Sequence, residues 1–217
     1  MFPTFGTLVN ASLVLFGGLI GFRFSNLIPD RYRVVILQTI GMFTIMISVK
    51  LMSEYKPELP KVFFFLFVGT VLGNLLSLEE RLERLTQRTS NLSKGFVSAS
   101  LLFTVGPMTL MGCILEGTKG DSSLLLSKAF MDGLSSMILS SSLGLGVALS
   151  SLYVLLFQGS ITLLAYFFGD FLSQQAMSNT LFIGGGLMFL IGIKLLGLLE
   201  NLRVLNLMPA LFLSLFF

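Results

Sequence analysis

The sequence predicts an all-α, polytopic transmembrane helix bundle of about seven to eight spans, and three observations predict it. Only 12% of the 217 residues are charged and 54% are hydrophobic, whereas soluble domains carry about 25% charged residues. Apolar runs close to the length that crosses a bilayer recur along the whole chain. The runs are continuously apolar rather than alternating, which selects helices over a closed barrel, the other architecture that satisfies its backbone in lipid.

Seven full spans and one short one are expected at 4–22, 34–53, 61–77, 95–115, 127–149, 152–170, 179–198 and 204–217. The last is short for a crossing and suits a half-membrane or interfacial helix. The N-terminus, MFPTFGTLVNAS, has no positive n-region and reads as the first span rather than a cleaved signal. All the arginines fall in three loops: Arg23, Arg31 and Arg33; Arg81, Arg84 and Arg88, with Lys94; and Arg203. Positive charge marks cytoplasmic loops, so the N-terminus is expected outside. The only long polar stretch, 78–94, has leucines at 78, 82 and 85 among alternating glutamates and arginines. It reads as an amphipathic cytoplasmic helix, either a solvated linker or a docking face.

Net charge is only +3 and no basic cluster alternates with aromatics, so nucleic acid is not an expected partner. The single cysteine, Cys113, cannot form an internal disulfide. The absence of histidine removes the usual zinc sites and any Ser–His or Cys–His catalytic pair. No cofactor is expected.

Three pieces of the first third recur in order near the end. VNASLVLFGGLIG (9–21) aligns with FQGSITLLAYFFG (157–169), matching Asn10 to Gln158, Ser12 to Ser160 and Gly21 to Gly169. GMFTIMISVKL (41–51) aligns with GGLMFLIGIKL (185–195), matching Gly41 to Gly185 and Lys50 to Lys194. PKVFFFLFV (60–68) aligns with PALFLSLFF (209–217), matching Pro60 to Pro209. Five spans separate the first copy from the second, and an odd shift reverses direction through the membrane. The expectation is one membrane domain, 1–217, with two oppositely oriented three-helix repeats at 4–77 and 152–217. The polar helix 78–94 and an inserted helix pair, 95–149, lie between them. Inverted repeats of this kind are typical of secondary transporters.

The insert carries the chemistry. Gly106-Pro107 falls mid-span, where proline removes a donor and clashes with the preceding turn, so a kink or break is expected. Broken helices either expose backbone groups to an ion at mid-membrane or are satisfied by neighbouring helices. Glu116 and Asp121 are oxygen ligands suited to hard cations, but their spacing matches no metal loop. Asp121 or Ser122 equally suits a helix cap. In KAFMDGLSSMILSSSLGLGVALSS (128–151), a helix gathers Lys128, Asp132, Ser135, Ser136, Ser140, Ser142 and Gly146 on one half. The other half holds Phe130, Met131, Leu134, Met137 and Ile138, with Ser141 as an exception. Small and hydroxyl residues can be plain helix packing. An acid inside a membrane helix costs about 2.5–3.5 kcal/mol at the centre and is a functional candidate by default. Its structural alternative is a pair with Lys128 one turn away. Asn10, Gln38, Asn74 and Gln158 add amides that either line a site or bond across helices. Lys50 and Lys194, at span ends, are expected to reach the interface.

GTLVN (6–10), GPM (106–108), EGTKGDSSLLLSKAFMDG (116–133), QGSITLLA (158–165) and RVLNLMPAL (203–211) closely resemble the YqgA/YdfK-like bacterial inner-membrane proteins. That resemblance covers essentially the whole chain. It implies a bacterial inner-membrane location, and no substrate or site residues, because the family is a domain of unknown function. EGTKGDSS also loosely resembles the acidic-Gly-Asp motifs of some small cation exporters, with different spacing.

These features lead to an expected small secondary transporter or channel for an ion or small polar solute. Its binding candidates are Asp132, Ser136, Ser140, Glu116, Asp121, Asn10 and Gln158, with the helix break at Gly106 and Pro107. The alternative is a non-transporting scaffold or regulator acting through 78–94. An enzyme is not expected, since no recognised motif supports pairing Asp132 or Lys128 with Ser135. The expected partners are the lipid bilayer and a small ion or solute. The glycines at 17–18 and 184–186 suit either a homodimer or packing within one chain.

Overall fold

The computed structural model describes residues 3–25, 30–87, 91–104, 106–169, 173–199 and 201–216. Among them the secondary structure is helical: α1 (Phe5–Arg23), α2 (Asp30–Glu54), α3 (Leu59–Leu76), α4 (Leu78–Gln87), α5 (Asn91–Thr104), α6 (Pro107–Lys119), α7 (Ser123–Leu143), α8 (Gly146–Phe168), α9 (Gln174–Leu195), a 3-10 turn (Val204–Leu207) and α10 (Pro209–Phe216). Five helices are long and apolar enough to cross a membrane: α1, α2, α3, α8 and α9. The pair α5–α6, bent by 57°, makes a sixth. α7 has 21 residues, about 31 Å of helix, but is too polar on average to join them.

The helix ends have local causes. Pro107 starts α6 at its first turn, where its missing N–H costs nothing, and Gly106 precedes it in extended backbone (φ −171°). Gly120 (φ +67°) closes α6, and the N–H of Asp121 returns to the Leu115 carbonyl. The expected span 127–149 is not one helix. Gly144 (φ +80°) ends α7, and α8 begins at Gly146, earlier than the expected 152. A stretch read as one apolar run is thus two helices joined at a glycine whose backbone a side chain would oppose. Asp121 caps α7 by accepting from Ser123 N–H at 2.9 Å, while Ser122 turns inward.

The chain divides into two compact units, Met1–Ile36 with Leu82–Gly169, and Leu37–Arg81 with Asp170–Phe217. In the first unit α1 lies against both α7 and α8, and the bent α5–α6 pair also lies along α8. The contacts of α1 run parallel to α7 (Gly6 near Leu125, Gly21 near Met137) and antiparallel to α8 (Thr7 near Thr162, Gly18 near Ala148). Val14, Ala99, Phe103, Val147 and Val154 form an apolar core between them. Close approach is made by glycine: a Cβ on Gly17 or Gly21 would run into the carbonyl of Gly133 or Met137 on α7. That spacing is the small-xxx-small pattern of tight membrane helix pairs.

In the second unit α3 lies against α10 and against the 3-10 turn, and α10 against α9. Gly41 on α2 meets Gly192 and Leu195 on α9, and Gly185 on α9 meets Ser48 and Met52, so these two helices are antiparallel. Gly69 and Gly73 on α3 meet Ala210 and Asn206, also antiparallel. Buried asparagines serve as ties. Asn179 accepts from the Glu58 N–H at 2.8 Å, and Asn206 accepts from the Glu79 N–H at 2.9 Å while donating to Asn74 at 3.1 Å. Glu79 accepts from Lys194 Nζ at 2.8 Å, and Glu80 pairs with Arg203. Lys50 is well exposed beside Glu54, as a lysine at an interface would be. Lys194 instead turns onto Glu79 and the Leu202 carbonyl, because a buried carboxylate needs a cation more than that cation needs water. Of the 78–94 segment, α4 accounts for 78–87; residues 88–90 and the side chains of 82, 83, 85–87 and 91–94, and with them the expected leucine stripe at 82 and 85, lie outside the described residues.

Gly21→Ala should destabilise the protein by about 1–3 kcal/mol, because backbone lies where the methyl would go. Gly186→Ala, with open space around its Cβ, should be neutral or slightly stabilising. Thermal midpoints of the detergent-purified variants check both; equal shifts would refute the packing described.

Candidate functional site

The candidate site is built where α1, α7 and α8 meet. α7 turns Lys128, Asp132, Ser136 and Ser140 inward and exposes Phe130 and Leu134. The polar half of this helix is therefore largely covered, while Phe130 and Leu134 of its apolar half are exposed and Met131 and Met137 half-buried. Two residues depart from the helical reading: Ile138 is buried, and Ser142, one residue from the end of the helix, is exposed.

Asp132 pairs with Lys128 one turn earlier on the same helix. Its Oδ2 also accepts from Asn10 Nδ2 on α1 at 3.1 Å. The same Nδ2 donates to Gln158 Oε1 on α8 at 3.1 Å. One amide thus joins three helices, and the two residues matched by the sequence repeat bond each other directly. Asn10 and Gln158 are fully buried, and Asn10 Oδ1 and Gln158 Nε2 have no partner among the described residues. A buried amide atom left unpaired costs about 1–3 kcal/mol, so a centre holding one free acceptor and one free donor is organised around more than its own bonds. Lys128 Nζ also stands 6.0 Å from the centre of the Phe103 ring, a cation–π contact.

One turn along α1 lies a second carboxylate. Glu116, 1% exposed, accepts from the Gly6 N–H and from Ser122 Oγ, each at 2.6 Å, and its Oε2 has no partner. Thr7 and Thr162 approach to 3.5 Å beside it, and the buried Cys113 lies near Thr162. Polar groups therefore run from Ser122 through Glu116, the threonines and Cys113 to Asn10, Gln158 and Asp132.

The other candidates separate. Ser136 gives its hydroxyl to the Val14 carbonyl at 2.7 Å, and Ser140 to Gly144 at 3.0 Å, so both tie backbone. Asp121 is exposed and caps α7, away from the buried row. Gly106 and Pro107 lie at the α5–α6 bend, where Thr109 Oγ1 donates to the Phe103 carbonyl at 3.0 Å. A side chain thus satisfies a backbone group freed by the break. Among the described residues, no group of three or more His, Cys, Asp or Glu side chains could hold a metal. Sequence reasoning passed over Thr7, Thr162 and Cys113. Their signal was weak, since single small polar residues in apolar spans are common packing residues.

Lys128→Met or Asp132→Leu alone should cost about 3–5 kcal/mol, each leaving a buried charge without its partner. The double variant should cost less than either. A double-mutant cycle on chemical unfolding in detergent checks this, and additive losses would show that the pair is not a coupled unit.

Residues 5–217 match the family described as "Protein of unknown function (DUF554)". The chain is 30% identical to the "Uncharacterized membrane protein YdfK" of Bacillus subtilis (strain 168), over 95% of this chain and 92% of that one. It is 27% identical to the "Uncharacterized protein YqgA" of Escherichia coli (strain K12), over 96% and 94%. No solved structure matches it. With its apolar helices and its match to a membrane protein over nearly the full length of both, the chain is a helical membrane protein and belongs to the DUF554 family.

Proposed function

We propose that the protein is a small secondary transporter or channel for an ion or small polar solute, with Asp132 at its binding centre. The observation that carries this reading is the Asp132–Asn10–Gln158 junction, buried among apolar helices yet holding an unpaired acceptor and an unpaired donor. Packing alone would be served better by apolar residues of similar volume. Polar and charged groups kept at membrane depth mark solute and ion pathways.

The inverted repeat expected from the sequence belongs to the same reading. The matched segments pair with one another: α1 with α8 and α2 with α9, both antiparallel, and α3 with α10 likewise. Gly41 against Gly192 has its counterpart in Gly185 against Ser48, since Gly41 matches Gly185 and Ser48 matches Gly192. Ser12 and Ser160, also matched, both face outward and bond the carbonyl four residues back. Pro60 and Pro209 both sit in the first turn of a helix. Two oppositely oriented copies supply related conformations open to opposite sides. In this reading α7 is also a crossing, the fifth in chain order and bringing the total to seven, its polar half covered and Phe130 toward lipid. The membrane is the bacterial inner membrane, with the N-terminus outside and the arginine loops in the cytoplasm.

A scaffold acting through 78–94 is the weaker reading. The first turn of α4 is already spent on Asn206, Lys194 and Arg203.

Full-length protein in proteoliposomes should carry a measurable flux of at least one ion in a panel. Asp132→Asn should lower it at least tenfold per folded molecule, and Gln158→Leu, which touches neither charge, should lower it too. Wild-type flux in Asp132→Asn would remove Asp132 from the site.

A further inference from the structure

We propose that the substrate is a monovalent cation, and that Lys128 exchanges it for a proton. The proposal rests on the transport reading above and specifies its chemistry. Three oxygen-bearing groups meet at this centre: Asp132 Oδ2 and Gln158 Oε1 both accept from Asn10 Nδ2, and the Oδ1 of the same Asn10 amide is unpaired among the described residues. Such a set suits a hard cation. Its one negative charge is already taken by the Lys128 ammonium, which sits where a bound cation would sit. A cation and that ammonium therefore compete for one carboxylate.

The side chain of Lys128 is only 7% exposed and that of Asp132 11%. The ammonium lies between Asp132 on its own helix and the face of Phe103 on α5. Among the described residues, α1 reaches this pair with the uncharged amide of Asn10, and α8 stands behind it with the uncharged amide of Gln158. α6 brings Cys113, whose thiol lies within the fields of both Lys128 and Glu116. Among the described residues, no second carboxylate is bonded to Lys128 to receive it if it swings aside with its charge. The alternative is for the ammonium to lose its proton. The –NH3+ becomes –NH2, one proton goes to water, and one monovalent cation takes its place on the carboxylate. The charge of the centre is unchanged, so the exchange is electroneutral, one cation for one proton. Lysine can perform this step and arginine cannot, because a guanidinium stays protonated in proteins.

The test uses full-length protein in vesicles with a trapped pH dye, under an inward gradient of LiCl, NaCl or KCl in turn, with isotope or flame-emission uptake in parallel. At least one cation should alkalinise the lumen, and an imposed membrane potential should not change the rate. Lys128→Arg, which keeps the pair, should lower the exchange at least tenfold. In detergent, the wild-type concentration for half-maximal thermal stabilisation by that cation should rise tenfold for each unit fall in pH. Cation uptake without proton movement, wild-type exchange in Lys128→Arg, or a pH-independent stabilisation would overturn the proposal and leave the transport reading standing. So would flux of another solute indifferent to all three cations. Absence of any flux across the panel would overturn both.

Discussion

An acid and a base share one turn of α7 inside a bundle made almost wholly of apolar helices, and much of the first unit is arranged around that fact. Neither charge is tolerable there alone. Each makes the other admissible, and Asn10 then ties the pair to α1 and, through Gln158, to α8. The pair needs α7 to turn its polar half inward. That orientation sends the Ser136 hydroxyl to α1 and leaves Phe130 and Leu134 outside. A short amide such as asparagine can reach across only if the helices nearly touch, and the glycines of α1 bring its backbone against α7 and α8. Electrostatics sets which face is buried, and glycine sets how close it can come.

The second unit solves the same problem with different residues. Glu79 is buried at the start of α4 and is held by Lys194, by the Leu205 N–H and, through its own N–H, by Asn206. The result is a fastening between the end of α3 and the segment before α10. In both units a lysine pairs with the buried carboxylate; Asn10 donates to the Asp132 carboxylate in the first, whereas Asn206 holds Glu79 by its backbone N–H in the second. Only the first leaves amide atoms of the charged centre itself unfilled.

Much of this was legible in the sequence, because composition and run length report directly on the solvent a helix faces. The break at Gly106-Pro107, the polar half of α7 and the Asn10–Gln158 match could all be read from residue type and spacing. Less legible were features that depend on three-dimensional partners. Gly144 looked like one small residue in a longer span, yet its left-handed backbone ends α7. Lys194 looked like an interfacial lysine because Glu79, its partner, is far away in sequence. Asp121 looked as good a cation ligand as Glu116. Only the fold separates the one that caps a helix in water from the one that is buried with an unfilled oxygen.

The central claim is that the Asp132 junction opens to water during function. Cys113 is a native reporter for it, the single cysteine of the chain, fully buried and close to Thr162 beside the junction. The direct measurement is the rate at which a small, charged, membrane-impermeant thiol reagent modifies Cys113 in folded protein in vesicles, applied from each side. The account predicts modification on a timescale of minutes from at least one side, slowed by a bound substrate ion. A thiol that stays unmodified until the protein is unfolded would contradict it and leave a sealed bundle.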